Sequence, residues 1–178
     1  MNIKELLQQF KDNVTNLVNG ITTVKSEQIS MKIYENSSGV QYTLGEFFNQ
    51  YNPEEIEKGQ CNLIFRIDLD GHGTIASFQL KDMYNCCGII VGSDLYVAKK
   101  LRNKGFGTLL TKFMQDFSAY YGYGILQGTD KKESDYQKRI FEKLGWKPVN
   151  EFDNPKTGNT LIMWIFNLNE YKSKEYAN

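Results

Sequence analysis

Apolar side chains recur every three or four residues along positions 1–19, and this spacing predicts an amphipathic helix. The apolar stripe consists of Ile3, Leu6, Leu7, Phe10, Val14, Leu17 and Val18. Gly20 follows the stripe directly, and glycine is typical of the position after a helix. We expect the helix to pack on the chain's own sheet or on the next predicted helix. The alternative is that it forms a dimer interface.

The hydrophobic period changes after this first helix. Residues 28–35, "QISMKIYE", alternate between apolar and polar and therefore predict a strand. Thr43 and Glu46 have the spacing of a capping box, which predicts a helix over "LGEFFNQY" at 44–51. A proline after Asn52 favours a second short helix over "PEEIEK" at 53–58.

The remaining pattern predicts a sheet with a single helical crossover. Strands at 61–69, 74–81 and 86–97 form an antiparallel meander, in which "DGHG" at 70–73 is a hairpin turn. The elements that follow are a helix at 107–121, a strand at 123–130, a helix at 134–145 and strands at 146–152 and 160–168. This order predicts a mixed α/β domain with a twisted, mostly antiparallel sheet and one parallel crossover. We expect a single domain over 21–170, with the helix of 1–20 packed on it and a polar, frayed tail at 171–178.

Charge and cysteine content restrict the classes of function. The chain has 178 residues, with 21 Lys and Arg and 21 Asp and Glu, so its formal net charge is zero. A protein without a basic excess is a poor candidate for nucleic-acid binding. No apolar stretch approaches the ~20 residues of a membrane span, and no secretory signal is found. Cys61, Cys86 and Cys87 lack a C-x-x-C spacing, so we expect reduced cysteines, no metal site and a cytoplasmic location.

Residues 99–110, "KKLRNKGFGTLL", join a predicted strand to a predicted helix. A helix N-terminus exposes free N–H groups, and glycines let an anion approach the backbone. Arg102 and Lys104 add full positive charges. The segment is either a basic turn or a phosphate-binding loop, and this combination favours the second. Its spacing matches neither the P-loop nor the dinucleotide-binding fingerprint.

The same segment resembles the acetyl-coenzyme A signature of the GNAT acyltransferase superfamily, [QR]-x-x-G-x-[GA]. Here the signature is Arg102-Asn103-Lys104-Gly105-Phe106-Gly107. "RIFEKLGW" at 139–146 is similar to the "YEKLGF" segment of that family, and the order of elements from about 61 to 168 also agrees. The resemblance implies a single GNAT-like domain that moves an acetyl group from acetyl-coenzyme A to an amine by direct attack in a ternary complex. It leaves the amine unidentified and allows a monomer or a homodimer.

The resemblance also implies roles for individual residues. Backbone groups at the end of the third meander strand would hold the pantetheine arm of the coenzyme; these residues are Leu95, Tyr96 and Val97. The loop and the helix start would hold the pyrophosphate; these residues are Arg102, Asn103, Lys104, Gly105, Phe106, Gly107 and Thr108. Ser134 stands where the family often has a coenzyme-binding asparagine, and Gln137 lies one turn further on.

The proton donor of the family has no counterpart in this sequence. Phe141 stands where many members have a tyrosine that protonates the departing coenzyme A thiolate. Tyr136 is no obvious substitute, since it lies about 140° away around the helix. The alternative function is therefore a catalytically weak acyl-coenzyme A-binding protein of the same fold, with a regulatory or assembly role.

The general base is equally uncertain from the sequence. By strand alternation Ser93 shares a face with Val97 and could hold a water, whereas Asp94 points the other way unless a bulge intervenes. Ser93 is therefore the candidate catalytic residue. His72, the single histidine, lies in the predicted hairpin turn and is expected to be solvated. Asp82 and Tyr84, in the next turn, are left open as further candidates.

Overall fold

The computed structural model describes residues 3–22, 25–36, 38–51, 61–83 and 88–175. The helices in these ranges are α1 (Ile3–Asn19), α2 (Leu44–Gln50), α3 (Phe106–Tyr120), α4 (Asp135–Lys143) and α5 (Leu168–Glu175). The strands are β1 (Ile29–Glu35), β2 (Gln41–Thr43), β3 (Asn62–Leu69), β4 (Gly73–Asp82), β5 (Ile89–Val97), β6 (Ile125–Lys131), β7 (Lys147–Asn154) and β8 (Asn159–Asn167). The helix predicted at 53–58 and the cysteines at 86 and 87 lie outside the described residues.

The strands form one sheet in the order β2-β1-β3-β4-β5-β6-β8-β7. The pair β5–β6 is parallel and the other neighbouring pairs are antiparallel. α3 is the crossover between β5 and β6, because parallel neighbours cannot be joined by a tight turn. The mixed α/β fold with one parallel crossover, predicted from the hydrophobic pattern, is confirmed.

Aromatic rings fill the layer between α3 and the sheet. Phe65 and Phe78 lie opposite each other on β3 and β4 with ring centroids 4.5 Å apart. Phe113 of α3 packs on Phe78 at 6.2 Å and stacks on Phe10 of α1 at 3.9 Å. α3 therefore lies on one face of the sheet, and α1, α2, α4 and α5 all contact it.

α1 buries its apolar stripe within the chain itself. Leu6, Phe10, Val14 and Val18 are each at most 5% exposed. Its main partner within the chain is α3, a helix that the sequence analysis did not name. The pairing of two helices distant in sequence leaves no mark on either one alone. The choice between packing on the domain and a dimer interface stays a prediction.

Two further elements differ from the sequence prediction. β2 is a strand of three residues, too short to show an alternating pattern. The tail predicted to be frayed from 171 onward continues α5 as far as Glu175. The Tyr171 hydroxyl donates a hydrogen bond to Asp116 of α3 and accepts one of 2.7 Å from Lys112 Nζ. This polar contact compensates for the absence of an apolar stripe on α5.

The capping box and the buried cysteine are as the sequence indicates. Thr43 Oγ1 accepts the Glu46 N–H at 3.2 Å, and Glu46 Oε2 accepts the Thr43 N–H at 2.7 Å. Cys61 is buried, and this burial raises the pKa of its thiol to about 12. A thiol held in its neutral form is a poor nucleophile, so Cys61 has a structural role.

Candidate functional site

A cavity opens where β5 and β6 separate. The two strands pair only from Ile89–Val91 to Ile125–Gln127. Beyond that point β5 stays paired with β4 and β6 stays paired with β8. The gap between them is a cavity of about 560 Å³. Its walls consist of residues 92–97, Arg102, Asn103, Met114, Thr129, Asp130, Ser134, Tyr136, Gln137, Phe141 and Trp146.

β5 carries a β-bulge on the wall of this cavity. Gln79 is paired with Ser93 and Ser77 with Tyr96, so two steps along β4 correspond to three along β5. Asp94, inside the bulge, has a φ of +52°, which is unusual for a residue other than glycine. The extra residue reverses the alternation of side chains along the rest of the strand.

The bulge corrects the prediction made for Ser93. Val97 is paired with Ala76, and Ser93 with Gln79, three residues further along β4. An odd separation places the two side chains on opposite faces of the sheet, so Ser93 and Val97 do not share a face. Both still line the cavity, as does Asp94, whose Oδ2 accepts a hydrogen bond of 3.2 Å from Ser93 Oγ.

The glycine loop lies at one end of the cavity. Arg102 turns back to the strand, where its Nε donates a hydrogen bond of 3.0 Å to the Val97 carbonyl. Asn103 and Gly105 have φ values of +60° and +94°, and Gly105 is the N-cap of α3. In the described part of the chain, the N–H groups of residues 103–105 donate to no backbone carbonyl. Successive free N–H groups at a helix N-terminus form a cradle for an anion.

The two glycines of the loop are required for different reasons. Gly105 has a left-handed conformation in which a side chain would be strained. Gly107 has an ordinary φ, but a Cβ there would lie 2.8 Å from Ile140 Cδ1 and 2.9 Å from the Tyr136 hydroxyl. Gly107 is therefore needed for the close packing of α4 on α3. This contact also places the Tyr136 hydroxyl at the start of α3, beside the anion cradle.

Phe141 lies in an aromatic cluster on the wall of the cavity. Its ring is 4% exposed and stacks on Trp146, with centroids 4.4 Å apart. Asp130 Oδ2, Trp146 Nε1 and Trp164 Nε1 are buried and have no hydrogen-bond partner among the described residues. Buried polar atoms are normally paired, so unpaired ones at a cavity are suited to the polar groups of a ligand.

Asp130 occupies the end of β6. Its Oδ1 accepts the Lys131 N–H at 2.9 Å. Burial raises the pKa of the Asp130 carboxyl. The hydrogen bond from the Lys131 N–H lowers this pKa. Polar groups of Ser134 and Lys138 lie nearby and also lower it, although they do not reach hydrogen-bond geometry at Oδ2. A carboxyl of this kind holds a proton more readily than one in water.

Most of the predicted site residues lie together. Those that line the cavity are Ser93, Leu95, Tyr96, Val97, Arg102, Asn103, Ser134 and Gln137. Those in the loop and first turn of α3 are Lys104, Gly105, Phe106, Gly107 and Thr108. Phe106 is fully buried, so only its backbone can face a ligand. His72 lies exposed in the β3–β4 turn and does not line the cavity.

Sequence reasoning missed Asp130 and Tyr136 as parts of this site. Tyr136 lies one helical turn before Ile140, so the sequence does indicate that the two side chains share a face of α4 and contact the same neighbouring element. Asp82, one of the further candidates for the base, is buried and does not line the cavity. Its Oδ2 accepts a hydrogen bond of 2.8 Å from the Cys61 N–H. Tyr84 lies outside the described residues.

The described residues contain no group of three or more potential ligands that could hold a metal ion. Within the same ranges, no helix combines the length and the apolar character needed to cross a membrane.

The fold described above is similar to that of several solved acetyltransferases. Similar solved structures include a spermidine N-acetyltransferase variant from Vibrio cholerae, with a TM-score of 0.60 and 11% identity over 84% of this chain and 99% of that one. An IAA acetyltransferase from Bacillus cereus has a TM-score of 0.57 and 16% identity over 78% and 99%. The ribosomal-protein-S18-alanine N-acetyltransferase from Escherichia coli has a TM-score of 0.55 and 12% identity over 79% and 94%.

Neither a scan of protein-family models nor a search of curated proteins finds a match to the sequence. The structural similarity at these low identities shows that this chain has the GNAT fold.

Proposed function

We propose that the protein transfers an acetyl group from acetyl-coenzyme A to a primary amine, by direct attack within a ternary complex. The observation that carries this proposal is the split between β5 and β6, because it joins an anion cradle to a cavity of about 560 Å³. A coenzyme thioester has a pyrophosphate at one end and a thioester at the other, and this site has a region suited to each.

The coenzyme fits the groups that the chain leaves unpaired. The pyrophosphate is bound by the free N–H groups of residues 103–105 and the first turn of α3, with the charges of Arg102 and Lys104. The Tyr136 hydroxyl, at the start of α3, donates a further hydrogen bond. The pantetheine arm carries amides, and β5 beyond Val91 has no strand partner on its β6 side to compete for them.

Asp94 is the proposed general base. An amine that attacks the thioester carbon must lose a proton, and a carboxylate can accept it directly or through a water. The bulge brings Asp94 to the cavity wall, and Ser93 Oγ holds its Oδ2 by a hydrogen bond. Strained backbone conformations such as that of Asp94 concentrate at functional sites. Ser93 therefore positions the base instead of acting as the catalytic residue.

For the acceptor we propose a primary amine and name no particular compound. The three similar structures are named for different acceptors or substrates, so their titles single out none for this chain.

The test is thiol release from acetyl-coenzyme A with a panel of amines: an alkylamine, a polyamine, a lysine peptide and a peptide with a free N-terminus. We expect at least one amine to accelerate thiol release, and Asp94→Asn to reduce kcat about 10²-fold or more. Asp70→Asn, in the exposed β3–β4 turn, is the matched control and should leave kcat unchanged. No amine-dependent release by the wild-type protein would contradict the proposal.

One observation favours the alternative of an acyl-coenzyme A-binding protein with little turnover. Phe141 is buried in an aromatic cluster and offers no proton to the thiolate. Calorimetry separates the two functions, because tight coenzyme A binding without amine-dependent thiol release would support the alternative.

A further inference from the structure

The departing coenzyme A sulfur needs a proton, and the cavity offers few groups that could give one. The titratable side chains that line it are Asp94 and Tyr96 on β5, Arg102 in the loop, Asp130 on β6 and Tyr136 on α4. The cavity also contains Phe141, whose ring has no proton to donate.

Four of the five titratable side chains are poorly placed for this task. The Arg102 side chain turns back to the strand, where its Nε donates a hydrogen bond to the Val97 carbonyl. The Tyr136 hydroxyl lies against Gly107 at the start of α3, where the pyrophosphate is expected. Tyr96 is 44% exposed, and Asp94 already serves as the proposed base.

Asp130 lies on the same wall of the cavity as Phe141. Gly128 and Asp130 are two residues apart on β6 in an unbroken register with β8, so they face the same side of the sheet. A Cβ on Gly128 would lie 3.1 Å from Cζ of Phe141, the atom that bears the hydroxyl in a tyrosine. Asp130 is the next residue along this face, and its Oδ2 is buried without a hydrogen-bond partner in the described part of the chain.

We propose that Asp130 donates the proton to the coenzyme A thiolate, in the place left by Phe141. This assignment rests on the proposed function. In the transfer step the amine nitrogen bonds to the thioester carbon and the carbon–sulfur bond breaks. The sulfur then takes the proton from Asp130 Oδ2, while the proton of the amine goes to Asp94. Both carboxyl groups return to their starting states by exchange with solvent after the products leave.

The environment of Asp130 favours the protonated form that this role requires. Burial already raises the pKa of the carboxyl in the free protein. An acyl-coenzyme A in the cavity removes further water from the exposed part of the carboxyl group, and desolvation favours the neutral acid. The acid is then regenerated most readily at low pH, so kcat of the wild-type protein should fall on the alkaline side of its pH profile.

The first test is Asp130→Asn in the full-length protein, measured by thiol release from acetyl-coenzyme A between pH 5 and 9. We expect kcat at neutral pH to fall about 10²-fold, as is typical for loss of a general acid. The alkaline decline that Asp130 causes should disappear, and the calorimetric affinity for coenzyme A should stay within a factor of about two. An unchanged kcat, or a lower kcat with the same alkaline decline, would overturn the assignment.

The second test adds Phe141→Tyr to Asp130→Asn. A tyrosine places a hydroxyl at Cζ, on the same wall of the cavity as the lost carboxyl, and should recover about tenfold in kcat, whereas Phe141→Tyr alone should change kcat by less than about threefold. A similar gain in both backgrounds would show that Asp130 and position 141 act independently, and this would overturn the assignment. A wild-type protein that binds coenzyme A but acetylates no amine would instead overturn the proposed function itself, and the assignment with it.

Discussion

The β3–β4 pair and the β5–β6 pair are built in opposite ways. β3 and β4 pair along almost their whole length, and their facing rings, Phe65 and Phe78, stack under α3. β5 and β6 pair over three residues on each strand and then separate around a cavity. The β3–β4 pair forms its backbone hydrogen bonds and packs its side chains along the strands, whereas the β5–β6 pair does so only over its first three residues.

The difference is also visible in the polar groups. Asp68 on β3 accepts hydrogen bonds of 2.8 Å from Arg66 and from Thr74, so its charge is satisfied. Asp130 on β6 has a buried oxygen for which the described residues provide no hydrogen-bond partner. Asp94 and Asn103, the non-glycine residues with positive φ among those described, both line the split. Stability should therefore depend on the closed pair and ligand binding on the open one.

Deletion of residues 1–19 should have the largest effect. The deletion removes four buried side chains of α1, and each contributes about 1.5–3 kcal/mol. Together they are comparable with the whole unfolding free energy of a domain, roughly 5–15 kcal/mol. We expect loss of the cooperative thermal transition by circular dichroism and increased binding of a dye to apolar surface.

Light scattering on the full chain and the deletion variant distinguishes this outcome from a dimer interface. If the full chain is a dimer and the deletion variant is a stable, folded monomer, then α1 is an interface helix and its packing on α3 is not required.

Phe78→Ala, in the closed pair, should have the next largest effect. Its side chain is 2% exposed, and removal of a buried phenylalanine side chain typically costs about 3–5 kcal/mol. The denaturant midpoint should fall accordingly, while the affinity of the folded protein for coenzyme A should change little. A loss of affinity at temperatures where the variant is fully folded would mean that the two regions are coupled.

The order of elements could be predicted from the sequence because each long element has a clear period of its own. The stripe of α1, the capping box of α2 and the alternation of β3 all have this local character. The position of α1 on α3 could not be predicted, because it depends on the side chains of two helices that lie far apart in the sequence. α5 has no apolar stripe and is tied down by the hydroxyl of Tyr171.

The candidate site likewise has parts that could be predicted from the sequence and parts that could not. The loop of residues 102–107 could be found because glycines and cations before a helix are a local pattern with a physical reason. The bulge at Asp94 could not, since any residue can be the extra one and its effect is to reverse the expected faces. Asp130 was missed because its proposed role depends on where β6 separates from β5, which is a property of the whole sheet.

Gly105→Asp, in the open region, should weaken coenzyme A binding by about tenfold or more, because it places a negative charge where the pyrophosphate is expected. Gly105→Ala is the matched control, since it carries the same strain at a φ of +94° without the charge. We expect similar melting temperatures for the two variants and a much weaker affinity for the aspartate alone by calorimetry. Equal affinities would show that the pyrophosphate lies elsewhere.

The smallest effect should be the opposite pH dependence of stability at Asp68 and Asp130. The pKa of Asp68 is lowered because the hydrogen bonds from Arg66 and Thr74 outweigh the effect of burial, so its stabilising contribution is present above its unfolded-state pKa and is lost as the pH falls through its folded-state pKa. The pKa of Asp130 is raised, chiefly by burial, so its contribution is full below the unfolded-state pKa and is lost as the pH rises through the folded-state value. Urea unfolding of Asp68→Asn and Asp130→Asn from pH 3 to pH 7 measures the pH dependence of stability at both residues.

Relative to the wild-type protein, Asp68→Asn should become less stable as the pH rises, and Asp130→Asn should become more stable. Slopes of the same sign would mean that the Asp130 carboxyl is stabilised in its charged form, and this would remove it as a proton donor.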